Sequence, residues 1–109
     1  MTNTLKFLRR VDHAEIAAST KLQIDLQSFR RDFGNDLNTL FITNTDTASD
    51  VEVYLDGIKV KFVTANNGSF SFDWESGITY NFLEIENKNA GAAIALNLVK
   101  ISVGRTGRQ

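Results

Sequence analysis

His13 is the sole histidine of this 109-residue chain, and cysteine is absent. A histidine base needs a nucleophile held beside it, yet His13 is flanked by Asp12 and Glu15 and no serine stands at a recognisable spacing. A solvated histidine in an N-terminal segment is the reading these neighbours favour. Zero cysteines exclude disulfides, thiolate metal sites, iron–sulfur clusters and cysteine nucleophiles together. Acids are more plentiful: Asp32, Asp36, Asp46, Asp50, Asp56, Asp73 and Glu75. Two carboxylates facing one cleft could hydrolyse a glycoside, but spacing alone does not place two in one cleft. Asn44, Asp46 and Asp50 offer hard oxygen ligands for calcium within one loop. That loop lacks the glycine and terminal glutamate of an EF-hand, and solubility explains the same residues. The expectation is a protein without cofactor or metal and without enzymatic activity.

Two further residue sets could contact ligands. Phe70, Phe72 and Trp74 share one face of a strand whose other face is polar, which is the pattern of core packing. Tyr54 lies on the polar side of its strand and is the candidate for ligand contact, stacking an exposed ring on a sugar. Gly57, Gly68, Gly77 and Gly91 mark one turn each, and none opens the glycine-rich strand-to-helix turn that cradles phosphate. Bases gather at the two ends: Lys6, Arg9, Arg10, Lys21, Arg30 and Arg31, then Lys88, Lys100, Arg105 and Arg108. Such ends bind phosphates, dock on an acidic protein surface, or are merely solvated. No RNP, zinc-finger or helix-turn-helix pattern accompanies them, so nucleic acid is not the expected partner. Lys6, Arg9, Arg10, Arg105 and Arg108 are the candidate contacts to other proteins.

The elements that must position these residues read as strands from residue 20 onward. Leu22, Ile24 and Leu26 alternate with polar residues over 21–27, a period of two. Thr39 to Thr43 is a β-branched and aromatic run. Val51, Val53 and Leu55 alternate with Glu52 and Tyr54; Asp56-Gly57 follows, then Ile58, Val60 and Phe62 alternating with Lys59 and Lys61. Asp-Gly between alternating runs predicts a hairpin with a type I′ turn. Asn66-Asn67-Gly68 and Ser76-Gly77 are further turns, around a strand holding Phe70, Phe72 and Trp74. The last two strands, 78–86 and 93–103, slip phase at Phe82-Leu83 and Leu98-Val99, which predicts bulges or crossings between sheets.

No helical pattern intervenes after residue 20, so parallel βαβ units are not expected. The fold class is all-β, an antiparallel β-sandwich, jelly-roll or immunoglobulin-like, of about seven strands. The expected organisation is an N-terminal arm or short helix over 1–19, the sandwich over 20–103, and a flexible C-terminal tail over 104–109. No apolar run approaches the roughly 20 residues of a membrane span, and the N-terminus has no signal-peptide core. The chain has no proline, so its edge strands need charges or a covering partner for protection. The net charge of −1 is a cancellation. Residues 1–31 carry six bases and three acids, 32–86 two bases and ten acids, and 87–109 four bases and no acid.

Residues 38–103 carry the hairpin ITNTDTASDVEVYLDGIKV, the strand NNGSFSFDWESG and, running on to Arg105, the closing run LEIENKNAGAAIALNLVKISVGR. This stretch resembles small β-sandwich structural proteins of tailed-bacteriophage virions, of the capsid decoration (cement) or minor-spike type. The resemblance implies a homo-oligomer, often a trimer, whose N-terminal arm reaches a neighbouring subunit. It also implies contact with other virion proteins such as a major capsid protein, and a place in the capsid or tail after synthesis in the host cytoplasm. It carries over no catalytic residue. The alternative is a carbohydrate- or receptor-binding module using Tyr54 and the Asn/Asp loops. A small hydrolase has the least support, since no nucleophile and base can be matched.

Overall fold

A computed structural model describes residues 4–33, 37–73 and 78–108. Its elements in chain order are β1 (Thr4–Val11), β2 (Lys21–Asp25), α1 (Leu26–Phe33), β3 (Thr39–Asn44), β4 (Val51–Leu55), β5 (Ile58–Val63), β6 (Gly68–Asp73), β7 (Phe82–Asn87) and β8 (Val99–Arg108). They form two four-stranded sheets, ordered β1-β8-β3-β6 and β2-β7-β4-β5. Every pairing is antiparallel. First pairs with last, second with seventh, third with sixth and fourth with fifth, with alternate pairs in opposite sheets. One long antiparallel hairpin rolled up in this way is a jelly roll, which decides between the two sandwich types expected. Among the described residues no helix is long and apolar enough to cross a membrane.

The core lies between the sheets. Leu40 and Ile42 of β3, Val51 and Val53 of β4, Leu83 and Ile85 of β7, and Ile101 and Val103 of β8 are fully buried. Their period-two spacing forms these strands, because only a pleated chain puts every second residue against the opposing sheet. The β4–β5 turn is as expected: Asp56 (φ 50°) and Gly57 (φ 80°) are both left-handed. Within β5, however, Val53 pairs with Lys61 and Tyr54 with Lys59, leaving Val60 as a bulge. The alternation therefore breaks there. Phe62 stands opposite outward-facing Glu52 and is 46% exposed.

Four expectations need correction. First, residues 4–11 are neither helix nor free arm but strand β1, held by β8. Second, β8 continues through residues 104–108, so these form no loose tail. Third, the alternation over 21–27 stops at Asp25, and the helix α1 begins. Asp25 accepts a hydrogen bond at Oδ1 from the Gln27 amide (2.8 Å), capping the helix as an N-cap residue does. Arg30 then ties α1 to the chain before β7, donating to the carbonyls of Ile78 and Tyr80 and to Asn81 Oδ1. Fourth, the phase slips mark strand starts rather than bulges: β7 begins at Phe82, and β8 at Val99 after a turn over residues 95–98. Residues 93–98 are loop, pinned by one bridge between Ile94 and Ile16.

The expected turn at 66–68 is present and has a demanding geometry. Asn66 and Asn67 are both left-handed, and a Cβ on Gly68 would lie 2.3 Å from the Thr64 carbonyl oxygen. Gly68→Ala should therefore cost about 2 kcal/mol, within the usual range for forced overpacking. Urea unfolding checks this, and a neutral result would show that the 64–67 turn can relax.

Candidate functional site

The expected partner contacts come together on one feature. Pairing of β1 with β8 sets the basic ends of the chain side by side: Lys6 opposite Thr106, Arg105 opposite Phe7, Arg9 opposite Val103, Arg10 opposite Ser102, and Arg108 opposite Thr4. No base faces another directly, so the staggered register avoids the direct like-charge pairs that destabilise strands. Pairing of β8 with β3 ends where Gly104 meets Thr39, while β1 and β8 continue for four more residue pairs. At about 3.4 Å per residue these four pairs carry the two-stranded ladder roughly 14 Å past its last pair with β3, and the molecule is 50 Å long but only 24 by 21 Å across.

At the base of the ribbon, the Arg9 guanidinium lies 5.9 Å from the Phe29 ring centroid of α1. Arg10 Nε is 3.5 Å from Asp12, with both side chains largely exposed. Such an exposed pair contributes little, and a carboxylate on a neighbouring protein can replace it. Lys6 and Arg108 are placed by backbone register alone.

The second site is the outer face of the β2-β7-β4-β5 sheet, where Tyr54 sits. Its ring is half-buried, with Lys21 Nζ 4.0 Å from its centroid. Its hydroxyl donates to Glu86 Oε1 at 2.6 Å. Tyr54 is therefore not the freely exposed ring that sugar stacking needs, because one face carries an ammonium. Around it, Glu52 stands beside Glu86 across β4 and β7, and Tyr54 beside Glu84. Lys59 lies 3.8 Å from Glu52 and Lys88 lies 3.6 Å from Glu86. Glu52 is largely covered, 6% exposed. Residue pattern along the chain does not by itself bring these carboxylates together. The only signal in the sequence was polar alternation on separate strands, and register, a non-local quantity, brings the acids together.

The electrostatics around Glu86 run against its serving as a general acid. The Tyr54 hydrogen bond, chiefly, and Lys88 and Lys21 nearby hold the Glu86 carboxyl below its ordinary range. A general acid needs the reverse shift. In turn the hydrogen bond to Glu86, with some desolvation and the carboxylates Glu86, Glu52 and Glu84, pushes the Tyr54 phenol up to about 12. A raised phenol contributes stability that is full below the ordinary value of 10.0 and is lost as pH climbs through about 12. The depressed Glu86 contributes stability that is lost as pH falls through its folded value. Phenolate absorbance should show Tyr54 ionising near pH 12. Tyr54→Phe should move the Glu86 midpoint back toward the usual carboxylate range by NMR titration. An unmoved Glu86 midpoint would mean that the hydrogen bond does not form in solution.

The other candidate residues serve the fold. Asn44 is buried, donating through Nδ2 to the Ser49 carbonyl and accepting from the Asp46 amide. Asp46 caps the Ala48 and Ser49 amides, and Asp50 accepts from Ala65. The three proposed calcium ligands thus spend oxygens on backbone amides, and no cluster of three His, Cys, Asp or Glu suited to a metal occurs among the described residues. Asp56 caps the Asn81 and Phe82 amides, and Asp73 accepts from the Thr39 hydroxyl.

His13 is buried, 6% exposed, not solvated. Its Nε2 accepts from the Val99 amide at 3.2 Å, so Nδ1 carries the proton and donates to the Ala14 carbonyl. It ties the end of β1 to the start of β8. Phe70 packs at the margin of the core, but Phe72 is 36% exposed because β6 is an edge strand. Trp74, Glu75, Gly77 and Asp36 lie outside the described residues. No family model, curated protein or solved structure matches the chain.

Proposed function

We propose that this chain is a non-enzymatic structural protein that assembles into a larger particle, a capsid decoration or minor structural component of a tailed-bacteriophage virion. The observation that carries the reading is the β1–β8 ribbon. Six bases and no acid lie on its two strands, three of them (Lys6, Arg105 and Arg108) past the last β3 pair, and the central residues of the sandwich hold most of the acids. A narrow cationic extension on a rigid body suits contact with the acidic surface of a neighbouring protein, since complementary charge steers docking and fixes register. Jelly rolls serve in viral capsids and also in lectins; that fold-level analogy supports the reading without deciding it.

In the lectin-like alternative a sugar would have to compete with Lys21 for the Tyr54 ring and with Glu86 for its hydroxyl. Co-sedimentation of the purified chain with particles lacking it tests the proposal. Binding is expected at low salt and should weaken markedly toward 1 M, as the Debye length shrinks from about 10 Å to about 3 Å. Absence of binding contradicts the function, and binding indifferent to salt contradicts the ribbon's part in it.

A further inference from the structure

We propose that β5 is a docking edge for an extended, acid-bearing segment of a neighbouring protein, which adds to the sheet as a further strand, antiparallel to β5. The contact lies on the body of the sandwich, goes beyond the ribbon and does not depend on it.

β5 is the outermost strand of the β2-β7-β4-β5 sheet, and among the described residues β4 is the strand it pairs with. An edge strand keeps a row of amides and carbonyls for a further strand. The side chains of β5 are as open as its edge: from Ile58 to Phe62 all are exposed except half-buried Val60. Register sharpens this. Ile58 stands opposite Leu55 and Lys61 opposite Val53, and both of those partners are core residues. Paired residues share a face of the sheet, so a covered strand would bury these two positions as well. Yet Ile58 is 64% exposed, and Lys61 is exposed too. The opposing sheet therefore does not cover β5 at these positions, and the strand overhangs it. On the other face Lys59 stands opposite Tyr54, and Phe62 opposite Glu52.

Each face of the strand thus offers one large apolar side chain and one lysine. Exposed apolar surface at such a margin marks a site of association, and it asks for apolar residues opposite Phe62 and Ile58. The lysines set the second requirement. Lys59 has Glu52 at 3.8 Å, whereas Lys61 makes no ion pair among the described residues.

A second copy of β5 fails that requirement. Antiparallel self-pairing centred on Val60 sets Lys59 of each copy opposite Lys61 of the other, and like charges directly opposite destabilise a strand pair. Charge therefore turns this edge against its own copies and toward carboxylates. An incoming strand that reads apolar, acid, any residue, acid, apolar meets Phe62, Lys61, Val60, Lys59 and Ile58 in turn. The bulge at Val60 bends the edge, which favours a short segment whose flanking side chains supply the specificity.

The probe is the end-blocked peptide Val-Glu-Thr-Glu-Val, titrated into the isotope-labelled full chain and read by amide NMR. The expected result is shifts centred on residues 58–63, with slower hydrogen exchange at the outward amides of β5. Val-Lys-Thr-Lys-Val should leave the same amides unmoved. Lys61→Glu should weaken the Val-Glu-Thr-Glu-Val complex about fivefold or more, the scale of a cross-strand charge pair turned repulsive. The same variant should gain affinity for Val-Lys-Thr-Glu-Val, a rescue that only a folded variant in this register can show. Unmoved β5 amides, equal shifts from the lysine peptide, or unchanged affinity in Lys61→Glu overturns the proposal. Shifts confined to residues 104–108 would also overturn it while supporting the ribbon as the acid-binding element, so the two readings fail separately.

Discussion

Asn87→Asp is expected to lower folding stability by about 3 to 5 kcal/mol at neutral pH, the scale of an uncompensated buried charge. Asn87 is fully buried at the end of β7. Its Nδ2 donates to the carbonyls of Ile16 (3.1 Å), Ala92 (2.9 Å) and Ala17 (3.4 Å), and its Oδ1 accepts from the Asn89 amide at 2.9 Å. One side chain thereby fastens the β1–β2 loop and the β7–β8 loop to the end of the sheet. The aspartate variant has nearly the same shape but offers those carbonyls no donor, so its carboxylate would face their oxygens.

The folded carboxyl of that variant must be raised above its unfolded value. The penalty should therefore shrink as pH falls toward about 4, the ordinary aspartate range. Asn87→Ala removes the charge problem but strands the carbonyls, and should cost about 2 to 4 kcal/mol. Small domains have only about 5 to 15 kcal/mol in total. Urea unfolding at neutral and acid pH measures both variants. A loss below about 1 kcal/mol for either would mean that the loops have other anchors.

Reversing the tip of the ribbon should have the second large effect, on association rather than stability. Lys6→Glu with Arg108→Glu puts two acids beside the one base that remains past the last β3 pair, Arg105. Both positions lie where β1 and β8 pair beyond the last β3 contact, so folding stability should change by about 1 kcal/mol or less. Affinity for an acidic neighbour should fall about tenfold or more, chiefly through slower association, with a flatter dependence on salt. A double variant that binds as tightly as the parent would remove the ribbon from the interface. A double variant that unfolds would show instead that these pairs brace the sandwich.

Local signals are legible in the chain, and non-local ones are not. The Asp56-Gly57 hairpin and the Asn66-Asn67-Gly68 turn are written in adjacent residues, because left-handed backbone selects Gly, Asn and Asp. The strand at 51–55 follows from period two, and the one at 39–44 from its β-branched and aromatic run. By contrast, β1 and the far end of β8 are strands because each supplies the other's hydrogen bonds across nearly the whole chain. The Arg9-Arg10 step also interrupts the alternation that would have revealed β1. α1 was hidden because Leu26 completes the alternation of Leu22 and Ile24, while its cap at Asp25 and its clamp from Arg30 to residues 78–81 are visible only in three dimensions.

The same distinction separates the candidate site's legible and illegible parts. The charge division along the chain was plain, and with it Lys6, Arg9, Arg10, Arg105 and Arg108 as candidate contacts. That the two basic ends lie side by side is a property of the jelly-roll order. His13 looked solvated beside Asp12 and Glu15, and its burial depends on the Val99 amide 86 residues away. Tyr54 looked exposed because the residues that cover it, Lys21 and Glu86, belong to other strands.

Quantitative mass spectrometry of purified particles, washed at physiological salt, tests the central claim most directly. The account predicts this chain as a component at a fixed copy number per particle, with the Lys6→Glu, Arg108→Glu double variant depleted from particles while remaining folded in the soluble fraction. Finding the chain only in the soluble fraction, or at a copy number that falls to nothing on washing at physiological salt, would contradict it.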